Sequence, residues 1–145
     1  MYLDNGPDIG SIVLDDFFTF KEKNLEIRKE TLLLFTSIYC IKCIQSLPLL
    51  KKLSDSFDLI LFSNGLSQDI EEMITNFKWG FPVISINEEH MEKHFSIRVH
   101  PSFILINEQR MVCSTGVIND FSDLKNLSPQ KKSHSLLRLL NNNIR

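Results

Sequence analysis

The sequence is short of the features on which small stapled or membrane-bound proteins depend. Three cysteines in 145 residues are too few for a disulfide-stapled secreted scaffold. Two of them, Cys40 and Cys43, stand so close that a bond between them closes almost no chain. No stretch approaches the roughly 20 consecutive apolar residues that a membrane-spanning helix needs. The opening MYLDNGPDIG has neither the basic start nor the apolar run of a secretory leader. The expectation is therefore a cytoplasmic protein, or an extracytoplasmic one if a leader or anchor has been removed. Neither sign of charge dominates. Sixteen basic against 18 acidic side chains leave a net charge of −2, so no global field draws the chain onto nucleic acid or an anionic membrane. Repeats, low-complexity tracts and Gly/Ser linkers are also missing. Residues 1–145 are expected to form one domain, and a monomer.

What is present is an apolar fraction of 43%, enough for one core, arranged in alternating patterns. TLLLFTS, over Thr31–Ser37, is a near-continuous apolar run that fits a strand buried on both faces. Straight after it, Ile44, Leu47, Leu50, Leu53 and Phe57 recur at intervals of three and four, which predicts an amphipathic helix over residues 41–56. Pro48 interrupts the backbone donors of that helix and is expected to bend it. Further strands are predicted at 58–63, 81–86, 102–107 and 111–115, the last two forming a hairpin across NEQR. Helices are predicted at Ser67–Phe77, Glu88–Phe95, 120–127 and 133–142, the last as a closing C-terminal helix. The order implies a mixed α/β fold.

Cys40 then falls at a helix N-terminus, with Cys43 one turn inside. The positive end of a helix stabilises a thiolate, the reactive form of cysteine, so Cys40 holds the nucleophile's position. Cys43 is placed to resolve a mixed disulfide formed on it, and the Lys42 ammonium adds a weak, exposed attraction for negative sulfur. A structural zinc site needs further ligands, and no second C-x-x-C or C-x-x-H is present, so no metal is assigned. His90 and His94 lie four apart on a predicted helix and are expected to be solvated. Cys113 is expected to be a buried, inert thiol. Trp79 and Phe81 read as core, with an exposed partner surface as the alternative.

YCIKCIQSLP, with TLLLF before it and HPSFILIN after it, resembles the thioredoxin superfamily, and within it the bacterial TlpA/ResA-like group. A C-x-x-C closing a buried strand, a proline five residues after the second cysteine, and a strand opened by Pro101 carry the resemblance. It covers most of the chain. The fold it implies is the thioredoxin fold, a central mixed β-sheet flanked by helices, with a TlpA/ResA-like helix and strand inserted before a cis-proline. It also implies a cis bond at His100–Pro101 beside the cysteines and a thiol:disulfide oxidoreductase acting on a protein or peptide, without cofactor. A disulfide-containing bacteriocin, as in the sporulation killing factor system, is one such substrate.

The departures from the family pattern are specific. Where thioredoxins carry Trp, Gly-Pro and a buried acid near the pair, this chain has Tyr39, Ile41-Lys42 and Leu34. His100 is then the titratable side chain that the resemblance places near the sulfurs. Its roles are to stabilise a Cys40 thiolate as a cation, to take the Cys43 proton as a base, or simply to pack. Two other functions stay open. In a peroxiredoxin-like peroxidase Ser37 supplies the hydroxyl three residues before Cys40, although Leu33 stands where that family has proline. The other is a non-enzymatic redox adaptor. A copper metallochaperone calls for wider cysteine spacing and a nearby histidine ligand.

Overall fold

The computed structural model describes residues 5–15, 17–18, 25–121 and 124. Its elements run β1 (Thr31–Ser37), α1 (Ile41–Leu53), β2 (Asp58–Asn64), α2 (Ser67–Phe77), β3 (Val83–Ser85), α3 (Glu88–Phe95), β4 (Ser102–Ile106) and β5 (Val112–Val117). The strands form one five-stranded sheet in the order β3-β2-β1-β4-β5. β1 pairs in parallel with β2 and antiparallel with β4, so that Leu33 faces Ile60 on one side and Ile104 on the other. β3 joins β2 in parallel, and β5 closes the opposite edge against β4 with an irregularity at Leu105/Ile106.

The continuous apolar run of β1 reflects its place. As a central strand it presents alternate side chains to two separate cores, and all its residues are buried. Leu33 and Phe35 enter one core together with Phe17, Phe62, and Met91 and Phe95 of α3. There Phe35 stacks on Phe62 at a centroid distance of 4.9 Å, and Phe95 lies 5.0 Å from Phe62. Leu32 and Leu34 enter the other, where Leu47, Leu50 and Leu53 of α1 cover the sheet beside Trp79. Each fully buried Leu or Phe contributes roughly 1.5–3 kcal/mol of transfer free energy. The two faces together fix β1, and β1 in turn sets where α1 begins.

Most of the pattern-based boundaries stand within a residue or two, and α2, α3 and β1 match throughout. Ile44 is a correction. It keeps the helical spacing yet is 47% exposed, because it falls at the edge of the face that Leu47 and Leu50 bury. Trp79 is buried and stacks on Phe77 at 5.3 Å, which settles its place in the core. The His90 and His94 rings stack on each other at 5.5 Å, and His94 also meets Phe17 edge-on. They are half-buried rather than solvated. Cys113 is half-buried, not enclosed, because β5 is an edge strand. The predicted helix at 133–142 lies outside the described residues, as does most of 120–127.

The N-terminal segment reaches the far edge of the sheet. Ile12 bridges Met111, and the Gly10 N–H donates to the Val112 carbonyl at 2.8 Å. Gly6 has φ +96°, and a Cβ there would stand 2.3 Å from Thr115 Oγ1, so the close approach requires glycine.

Candidate active site

β1 ends at Ser37, and the chain turns at once into α1. The turn is held by short-range bonds. Ser37 accepts from the Cys40 N–H through its carbonyl at 3.1 Å and from the Tyr39 N–H through its hydroxyl at 3.1 Å. Cys40 is the residue before the first turn of α1, with extended backbone, and its sulfur accepts from the Cys43 N–H at 3.3 Å. A helix start leaves N–H groups without intrahelical partners, and here a cysteine sulfur takes the part that Ser or Asp plays elsewhere. Any negative charge on Cys40 thereby meets an oriented donor and the positive end of the helix.

The two thiols are unlike. Cys40 is half-buried and reachable, whereas Cys43 is 1% exposed. Burial first, then the hydrogen bond to Cys40, push the Cys43 thiol up to about 12, against an opposing pull from the Ser37 backbone that exceeds the further rise due to the Cys40 charge. Cys43 therefore stays protonated, and inert, unless a base takes its proton.

A second loop closes on the sulfurs from 60 residues away: the Cys40 thiol lies 3.9 Å from the His100 carbonyl oxygen. The His100–Pro101 bond is cis, and Pro101 is buried. The sulfurs of Cys40 and Cys43 and a ring nitrogen of His100 lie within 4.8 Å of one another. His100 itself is 19% exposed, with its Nε2 3.5 Å from the Glu88 carboxylate. Tyr39 and Lys42 flank the pair on the surface, Tyr39 being 74% exposed. Leu34, where an acid was the family expectation, is fully buried among the leucines under α1.

Asn5 and Glu88 complete this arrangement, and no sequence pattern announces either. The Asn5 side-chain carbonyl accepts from the N–H groups of Arg98 at 2.7 Å and Val99 at 3.0 Å, while its amide donates to Ser102 Oγ at 3.0 Å. Ser102 in turn donates to the Val99 carbonyl. One side chain thus holds both ends of the loop that carries His100 and Pro101. An asparagine just before a glycine was the available signal, but it specifies a turn and not a distant partner.

No protein-family model and no curated protein matches the sequence. Solved structures do. StoA from Bacillus subtilis is 23% identical over 61% of this chain and 73% of that one, with a TM-score of 0.52. A secreted Mycobacterium tuberculosis disulfide oxidoreductase homologous to E. coli DsbE is 10% identical over 69% of this chain and 81% of its own, with a TM-score of 0.57. The thioredoxin domain of a thiol-disulfide oxidoreductase from Bacteroides vulgatus is 16% identical over 86% and 96%, also with a TM-score of 0.57. The chain has the thioredoxin fold, with the mixed central sheet and flanking helices expected of it, and its structural likenesses are to proteins of the kind that its sequence resembles.

Proposed function

We propose that this chain is a thiol:disulfide oxidoreductase that exchanges dithiol for disulfide with a protein or peptide through Cys40 and Cys43. The observation that carries the reading is the pairing of a reachable sulfur at a helix start with a second, buried sulfur one turn behind it, both against the His100–Pro101 turn. In the reducing direction the Cys40 thiolate attacks one sulfur of the substrate disulfide. A bond forms between Cys40 and that sulfur, and the other leaves as a thiolate. With Cys40 so bonded, its charge no longer opposes ionisation of Cys43, although burial still does. His100 then takes the Cys43 proton, and the Cys43 thiolate attacks Cys40, closing the internal disulfide and releasing the substrate as a dithiol. The reverse sequence makes a substrate disulfide.

Tyr39, Ile41, Leu66 and Val99 are all exposed large side chains, and three of them are close in sequence to Cys40 or His100. They favour a substrate whose disulfide is flanked by apolar residues, such as a small disulfide-containing bacteriocin. Replacing Cys43 with serine removes the resolving thiol, so Cys43→Ser is expected to accumulate a mixed disulfide through Cys40, visible by mass spectrometry as a covalent adduct lost on reduction. Full turnover by Cys43→Ser with no adduct would overturn the assignment and favour single-thiol peroxidase chemistry.

A further inference from the structure

Two sulfurs and an imidazole nitrogen lie within 4.8 Å of one another, a donor set that suits a metal ion as well as it suits proton transfer during exchange. Sequence spacing offers only the cysteine pair as ligands; the fold supplies a third donor from the opposite loop. Zinc–sulfur bonds of about 2.3 Å and zinc–nitrogen bonds of about 2.0–2.1 Å put neighbouring tetrahedral ligands roughly 3.5–3.8 Å apart. From separations of at most 4.8 Å, a contraction of no more than about 1.3 Å brings the three atoms to that spacing. The half-buried positions of Cys40 and His100 leave room for entry, and three protein ligands leave a fourth position open. With Nδ1 as the donor to the ion, Nε2 is left for the Glu88 carboxylate 3.5 Å away, the carboxylate–histidine pairing that orients metal-binding imidazoles and raises their basicity. Thiolate donors select soft, thiophilic ions over calcium or magnesium.

We infer that the reduced chain binds one thiophilic d10 cation, Zn(II) or Cu(I), through Cys40, Cys43 and His100, and that the bound ion and the Cys40–Cys43 disulfide exclude each other. On binding, both thiols release their protons to solvent and each forms a metal–sulfur bond, while neutral imidazole donates a lone pair. No electron is transferred and no oxidant is consumed. Oxidation joins the same two sulfurs to each other, leaving His100 alone, and the ion departs. Metal binding stands on the three donors themselves. Its consequence, that a loaded site is silent in exchange, rests on the oxidoreductase reading.

The test uses the full chain, reduced and desalted without oxygen, titrated with Zn(II) against a chromophoric zinc chelator and separately with Cu(I) against bicinchoninate. The expected result is one ion per chain for at least one of the two metals, none for the disulfide form, and a loss of on the order of 10-fold to 100-fold in affinity for His100→Ala. Glu88→Gln, a conservative change at an exposed side chain paired with His100 in the first turn of α3, is expected to cost about 10-fold with a nearly unchanged melting curve. The two titrations decide between zinc and copper. Absence of binding for both metals, equal binding by the oxidised chain, or undiminished affinity in both His100→Ala and Glu88→Gln overturns the proposal. Exchange activity is assayed in parallel on metal-free protein in chelator. Binding without exchange sinks the oxidoreductase reading alone, and exchange without binding sinks the metal site alone.

Discussion

The two loops that meet at the sulfurs are held by different means. The Ser37–Cys43 turn rests mainly on bonds that span two or three positions, from Ser37 to Tyr39 and Cys40 and from Cys43 back to Cys40, with one longer bond from the Ile38 N–H to the Asn64 carbonyl at 3.0 Å. The His100–Pro101 turn is held by Asn5 across 93 to 97 positions. The first loop carries its own geometry wherever β1 and α1 pack. The second is also tied to the end of β5 through the Ile118 N–H, which donates to the Pro101 carbonyl at 2.9 Å, but its Asn5 bonds form only when the N-terminal segment docks along the sheet. The sulfurs therefore sit on the more local loop and the proposed base on the remotely held one, so damage to the two should differ in kind.

Cys40→Ser removes the reacting atom and is expected to abolish exchange in any insulin- or peptide-reduction assay. Residual turnover within tenfold of the parent would move the nucleophile elsewhere. Asn5→Ala leaves both sulfurs in place but frees the loop that carries His100. Each of the three lost hydrogen bonds counts for about 0.5–1.5 kcal/mol, so a drop of about 1.5–4.5 kcal/mol in unfolding free energy is expected. Resolution of the mixed disulfide should slow on the order of 10-fold, while its formation through Cys40 is nearly unchanged. Equal slowing of both steps would erase the distinction between the loops.

A gentler probe acts through pH. An unfolded cysteine releases its proton near about 8.5, whereas folded Cys43 holds it to about 12. Between those values the unfolded chain carries fewer protons, so this contribution to stability is complete below the lower value and is lost as pH rises. Under reducing conditions Cys43→Ala should therefore show a flatter decline in stability above pH 9 than the parent. Parallel curves would mean that the thiol is not held protonated by burial. The smallest effect is expected at Lys42, an exposed side chain between the cysteines. Lys42→Gln should change exchange rates by about twofold or less, since exposed charges interact weakly through water.

The same division governs how much could be read from the chain. β1 and α1 were legible because a strand buried on both faces must be apolar throughout, and a helix packed on a sheet must repeat its leucines at three and four. The cysteine pair inherits its place from their junction. Ile44 shows the limit of periodicity: spacing gives a stripe of positions but not where the neighbouring elements stop covering it. Asn5 and Glu88 were invisible because one polar side chain reaching a loop in another part of the sequence leaves no repeating trace. His100 came into view only through its neighbour Pro101.

Pro48 gives α1 a further property. Proline has no N–H to offer the carbonyl of Ile44, so the helix lacks one rung of its ladder just beyond the turn that carries Cys43. Leu47 on the near side of the gap and Leu50 and Leu53 beyond it are all buried against the sheet, so side-chain packing rather than an unbroken backbone ladder holds the two parts of the helix in line. The seat of the cysteine-bearing turn is thus set by the core beneath it.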